Sequence, residues 1–339
     1  MQYRLTTLVL GEVSKEMRGS VFQTKALRSA PHYFEASVPH QVIIDERTAR
    51  VGGQTITFSL KGYPPDILLV ETTTDVPDIF TNDVFDLEER IYEQCDAILK
   101  EHGGQKKYTE TYSVFRVSGY EGEPEQFLKH APLIASLLKS ERVELDPKEV
   151  AYTLATQIKY AKHDLALLDW DGAFLFDVEG DFSQTIELLT LANVQLLRHR
   201  IMDRKLDERL EYAASLVRKP IPKRHLFRSE DIANEMRGVL KDRMMTLSNF
   251  QILERDIKLI GDWYPARLYE LAAKKFRIVE WRASLKEKLE SLEDIYSVII
   301  ENFSASSKAR TEHRQLIAEW FIIAGWLSLV VLEFIAFTR

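Results

Sequence analysis

The sequence predicts an α+β protein. An N-terminal α+β sandwich, for which a ferredoxin-like arrangement is one option, leads into a long helical hairpin or stalk and then one C-terminal transmembrane helix. Three observations predict this. Short β-rich runs and helix-spaced runs alternate through the first half, where most of the 14 Gly and 11 Pro lie. Strand signal almost vanishes after Asp181. Finally, Trp320–Phe337 is apolar on every face. The implied organisation is a head over 1–180, a stalk over 181–315 and an anchor over 316–339.

In the head, residues 1–60 read as short strands. Val38–Ile44 and Thr55–Leu60 are β-rich, and Gly52-Gly53 marks a turn between runs. Pro64-Pro65 interrupts them. Ile67–Val70 is a continuous apolar run of strand length, as expected for a buried strand. Asp83–His102 places Val84, Leu87, Ile91, Cys95, Ile98 and Leu99 at helical spacing and is closed by Gly103-Gly104. Residues 111–119 alternate and predict a strand. Glu123–Lys139 reads as a helix with Pro124 in its first turn. Residues 151–177 read as a meander. Tyr152, Leu154, Ile158 and Tyr160 share one parity, with helix the rival reading for 151–161. Leu165–Leu168 and Ala173–Phe176 follow, joined through an Asp171-Gly172 hairpin signal.

In the stalk, Asp181 can cap a helix running to about Val217, some 55 Å long at the α-helical rise. RKPIPKRHLFR, over 218–228, is a basic, Pro-broken linker. Ser229 caps a second helix toward Gly261, and Pro265 opens a third. Leu285, Leu289, Leu292, Tyr296, Ile299 and Phe303 step by alternating fours and threes, which is a heptad seam. Such a seam needs a partner, either the 181–217 helix folded back or a second copy of the chain.

The 18 residues WFIIAGWLSLVVLEFIAF carry one charge, Glu333. As a helix they span about 27 Å, close to the hydrocarbon thickness. Trp320, Trp326 and Phe337 supply aromatic material for the interfaces, and Glu333 lies near the far end. Lys308, Arg310 and Arg314 precede the run, so the positive-inside rule keeps the preceding mass cytoplasmic or matrix-side. With only Thr338 and Arg339 beyond it, the expected topology is a tail anchor. The N-terminal MQYRLTTLVLGEVSKEM lacks a basic region before a long apolar stretch, so the bulk of the chain is not expected to be exported.

The formal charge of −7 argues against a general nucleic-acid binder, and no direct sequence-specific nucleic-acid contact is expected. The single cysteine, Cys95, reads as a small buried residue. Asp169, Asp171, Asp177, Glu179 and Asp181 form an acidic cluster around the hairpin. A calcium loop would need Gly at Phe182 and Glu at Leu188, so turn and cap roles are favoured over a metal. Asn193, Gln195, Arg198, Asp203 and Asp207, with Arg200 and Arg204, crowd one helix. They read as a polar site or docking face, against a favoured alternative of intrahelical ion pairs. Zinc, P-loop, dinucleotide and nucleophile-elbow motifs are missing, so no cofactor and no catalytic residues are assigned.

The stretch from Asp262-Trp263 through Leu268-Tyr269, the heptad helix and RQLIAEWFIIAGWLSLVVLEFIAF resembles the required-for-meiotic-nuclear-division family. The matching residues are Arg314, Glu319, Trp320, Ile322, Ile323 and Glu333, and residues 1–150 do not share in it. The resemblance implies a single C-terminal membrane helix and homo-oligomers. In eukaryotic members it also implies ribosome tethering at the mitochondrial inner membrane. Without an Arg- and Ser-rich presequence, a bacterial inner membrane is favoured over the mitochondrial one.

The expected function is a non-enzymatic, tail-anchored membrane scaffold or tether that oligomerises through its stalk and presents its head to a protein partner. Two alternatives stand beside it. One is an oligomeric ion-transport protein of CorA-like architecture, although the Gly-Met-Asn signature is missing. The other is a metal-dependent enzyme using the acidic hairpin.

Overall fold

The computed structural model describes residues 1–13, 20–22, 41–64, 66–218, 237–238, 241, 244, 263–299, 301, 319–320 and 323. The chain divides into two compact units, residues 1–204 with 247–285, and residues 205–246 with 286–339.

The first unit is built on one nine-stranded sheet. Its strands are β1 (Gln2–Val13), β2 (Ser20–Phe22), β3 (Gln41–Val51), β4 (Gln54–Tyr63), β5 (Ile67–Val76), β6 (Gly104–Ser118), β7 (Gln157–Ile158), β8 (Asp164–Leu168) and β9 (Gly172–Asp177). Their order is β2-β3-β4-β5-β1-β6-β9-β8-β7. Every pairing is antiparallel except β6 with β9. The mixed α+β class and the N-terminal sheet with later helices follow the sequence expectation. The sheet itself is much wider than a ferredoxin-like one.

Alternation along the strands explains why both faces are covered. On β1, Leu5, Val9 and Val13 enter one core, and Leu8 and Leu10 enter the other. The first core is roofed by α1 (Asp83–Glu101) and α2 (Ala131–Leu138). The second is roofed by the first part of α4 (Ser183–Arg218) and by α5 (Trp263–Lys275). A slip of one residue in β1 would exchange the two sets of side chains, so the register is strongly specified.

Several local expectations change. Glu123–Lys139 is not one helix. It is a 3₁₀ turn at Pro124–His130 followed by α2. Pro132 supplies the reason, because it lacks a donor and its ring crowds the carbonyl of Leu128. The first meander strand is mostly helix: α3 (Pro147–Leu154) precedes the two-residue β7. Asp146 caps α3 through the Lys148 amide, and Pro147 suits its first position. That cap outweighs the alternating parity. The β8–β9 turn is Asp169-Trp170-Asp171, and Gly172 already belongs to β9.

A helix over 278–299 (α6) begins in the first unit and enters the second, where Lys288 bonds Asp207 at 2.6 Å. Of the seam residues, Leu285, Leu289, Leu292 and Tyr296 are buried within this one chain and Ile299 is half-buried. Phe303 lies outside the described residues. The hairpin needs no second copy to cover these positions.

Among the described residues, no helix is long and apolar enough to cross a membrane. The expected span is largely outside them, with Trp326, Glu333 and Phe337. Trp320 and Ile323 are described, and both are helical and exposed.

Candidate functional site

One face of α1 borders a cavity of about 460 Å³ lined by Phe85, Glu88, Glu89, Tyr92, Glu93, Asp96, Ser140 and Arg142. Glu88 occupies the stripe of α1 that otherwise faces the core. Val84, Ile91 and Cys95 are buried at the same helical phase, and Glu88 is only 2% exposed. A carboxyl group there must find hydrogen-bonding partners or lose its charge.

It does some of each. The Tyr92 hydroxyl donates to Glu88 Oε1 at 3.1 Å and lies 2.9 Å from Ser113 Oγ. Tyrosine has one hydroxyl proton, so with Glu88 ionised the proton order is Ser113 to Tyr92 to Glu88. Ser113 reaches this face because odd positions of β6 point toward α1, alongside Phe115 and Val117. Burial pushes Glu88 up to about 7, with Asp171 adding to the rise. The Ser113 and Tyr92 hydrogen bonds and Arg142 oppose it. Glu88 therefore exchanges its proton near neutral pH, which suits either acid–base work or charge-dependent binding.

The opposite wall is the connection after α2. Ser140 has φ of +51° and ends α2, with Glu141 N donating to Ser136 O at 2.9 Å. A left-handed residue there turns the chain back over α1. Arg142 then lies 5.6 Å over the Phe85 ring and bonds Asp86 at 2.8 Å and Glu89 at 3.1 Å.

The end of the sheet beside Ser113 holds a second charged cluster. Asp169 is fully buried, 3.0 Å from Lys275 Nζ and 3.8 Å from Lys139 Nζ. Lys139 also bonds Glu149 at 2.8 Å. On the far face Arg200 bonds Glu110 at 2.5 Å and lies 5.9 Å over the Trp170 ring. Burial raises the Asp171 carboxyl, and nearby Asp169 adds to it. These groups fasten the β8–β9 turn to α2 and α5 by paired charges, which is a structural role.

The sequence-derived polar residues do not converge. Asn193 donates to its own helix at Leu189 O, 2.9 Å away. Gln195 accepts from the Tyr269 hydroxyl. Arg198 donates to Tyr63 O and Pro64 O, at 3.3 and 2.7 Å. Asp203 is half-buried, and Asp207 holds Lys288. In the acidic hairpin, Asp177 accepts from Gly180 N and Asp181 from Ser183 N, so both shape the entry to α4. Among the described residues no group of three His, Cys, Asp or Glu could hold a metal. Sequence reasoning missed Glu88, Tyr92, Ser113 and Arg142. One signal was legible: a glutamate at an apolar phase of α1.

The family described as uncharacterized protein MJ0711, N-terminal domain, matches residues 6–183, which spans β1 to the first residue of α4. The uncharacterized protein MJ0711 of Methanocaldococcus jannaschii is 27% identical over 303 residues, covering 89% of this chain and 87% of that protein. No solved structure matches. The N-terminal match overturns the resemblance to the required-for-meiotic-nuclear-division family, which rested on the last third. The ribosome and mitochondrial expectations that it alone implied lose their basis.

Proposed function

We propose that this chain, which belongs to the family of the MJ0711 N-terminal domain, is a non-enzymatic, membrane-anchored scaffold whose sheet head presents a pocket on the cytoplasmic side. The observation that carries the reading is the 18-residue run Trp320–Phe337 with its single charge. Such a run is long enough to cross the hydrocarbon layer. Its described residues support this: Trp320 is 71% exposed and Ile323 57%, so apolar side chains stand where lipid would cover them. Lys308, Arg310 and Arg314 keep the preceding mass on the cytoplasmic face. The paired distal parts of α4 and α6 serve as a spacer closed within one chain, so the anchor needs no partner helix from that seam.

Fractionation tests it. Full-length protein is expected in the membrane pellet after an alkaline wash, and a chain lacking 320–339 in the supernatant. Membrane retention of the shortened chain would sink the proposal.

A further inference from the structure

The second face of the sheet turns polar toward the start of β1. The alternation that sends Leu8 and Leu10 into the second core places Arg4 and Thr6 on the same face. On β6, Arg116 follows Tyr112 and Val114 in the same way, and Thr73 and Asp75 are the β5 neighbours of Thr6 and Arg4. Arg4 therefore stands directly opposite Arg116 across β1 and β6. Like charges in directly opposed positions repel. Arg116 is the telling group. It is half-buried, its Cζ lies 4.9 Å over the buried Phe182 ring, and its Nε is buried without an acceptor. Its Nη1 donates to Thr6 Oγ1 at 3.3 Å, and that hydroxyl lies 2.9 Å from Thr73 Oγ1. Among the described residues no carboxylate comes within ion-pair distance of Arg116. Glu71, Asp75 and Asp181 act on it from further off, and each is engaged elsewhere. Glu71 bonds Lys61 at 2.6 Å, Asp75 bonds Arg4 Nε at 2.8 Å, and Asp181 accepts from Ser183 N at 3.4 Å. Burial and, after it, Arg4 hold the Arg116 guanidinium below its ordinary value. A half-buried cation with a like charge opposite and no counter-ion in contact is costly, and an anion shared by the two guanidinium groups removes that cost.

We propose that Arg4 and Arg116, with the Thr73 hydroxyl beside them, bind the phosphoryl group of a phosphate monoester. A guanidinium offers a fixed fork of donors that matches two oxygens of such a group. Two guanidinium groups match its double negative charge better than the single charge of a carboxylate. Thr73 is exposed, and its hydroxyl can donate to a third oxygen. Thr6 is fully buried and already holds both Arg116 and Thr73, so it sets the positions of both from below. Asp75 is the opposing group. It occupies Arg4 and repels an incoming anion, yet its side chain is 81% exposed and free to swing aside. The rim is open on that side, so the rest of the ester extends into solvent. The same chemistry would take a soluble ester or the headgroup of a lipid.

The site makes no use of the membrane anchor, so its test is separate from that of the scaffold reading. Two probes are titrated calorimetrically into the detergent-solubilised full-length protein: glycerol phosphate, and short-chain dihexanoyl phosphatidic acid, which carries the same phosphoryl group on a lipid. Neutral pH keeps both esters largely dianionic, and about 0.15 M salt screens diffuse attraction. Saturable one-to-one binding of at least one probe is expected. Equal affinity for the two assigns a soluble ester, and clearly tighter binding of the lipid assigns a headgroup; both support the site. Arg116→Gln should weaken binding about tenfold or more, the loss expected when charge-assisted hydrogen bonds to an anion are removed. Asp75→Asn should tighten it several-fold, a gain that damage to the fold cannot imitate. Arg47→Gln, on the opposite face of the sheet beside Phe58 of the first core, should leave it unchanged. The absence of saturable binding of either probe would overturn the proposal. So would wild-type affinity in Arg116→Gln, weaker binding in Asp75→Asn, or an equal loss in Arg47→Gln.

Discussion

At the scale of single residues, two buried titratable groups act on stability with opposite signs. Glu88 is raised from 4.5 to about 7, so the folded protein holds its proton more tightly than the unfolded chain. Its contribution is fully present below pH 4.5 and is lost as pH rises through 7. His199 Nδ1 donates to the backbone Gln195 O, 2.6 Å away, and burial lowers it from 6.5 to about 4. Its contribution is present above pH 6.5 and is lost as pH falls through 4. The windows overlap, so each hides the other in the wild-type curve. Denaturant titrations of wild type and Glu88→Gln across this range separate them. The variant should gain roughly 3 kcal/mol relative to wild type between pH 4.5 and 7.5. A pH-independent difference would mean that Glu88 titrates normally. A second prediction concerns close approach. A Cβ at Gly172 would lie 2.8 Å from Ser113 O, where β9 begins its parallel pairing with β6. Gly172→Ala should therefore cost about 1–3 kcal/mol, read as a lower thermal midpoint. Sequence reasoning took this glycine for a turn residue. The need arises from a strand 59 positions earlier, and no local pattern carries that.

At the scale of elements, long periodic segments were legible and short ones were not. α1, α4 and the buried run of β5 appear where spacing placed them, because each is decided by one uninterrupted apolar pattern. The 123–139 and 151–161 segments failed because single residues override periodicity there: Pro132 inside one, and the Asp146-Pro147 cap before the other. The pocket was illegible for a related reason. Glu88 at an apolar phase of α1 is the one local hint, while Ser113 and Ser140, which border the same pocket, arrive through tertiary packing. The seam gives this scale its prediction. Leu292 is fully buried beside the Lys288–Asp207 bridge region of α6. Leu292→Ala should cost about 2–5 kcal/mol, read as early loss of helical signal in a denaturant titration. If the seam instead joined two copies of the chain, the loss would depend on protein concentration.

At the scale of the whole molecule, the account rests on a head whose sheet is covered on both faces by its own helices and on the proposal that the apolar run at 320–337 enters a membrane. The head closes both faces of its sheet with its own helices, the first part of α4 included. The run at 320–337 has no comparable polar stripe. The most direct measurement is solvent access at its centre, using Ser328→Cys and a membrane-impermeant maleimide on sealed native membranes. The native Cys95 is buried and its thiol is pushed up to about 12, so it contributes little background. The account predicts that Ser328→Cys stays unlabelled until detergent is added, while Glu46→Cys on exposed β3 labels as soon as the membranes are opened. Labelling of Ser328→Cys at the rate of Glu46→Cys in the absence of detergent would contradict it.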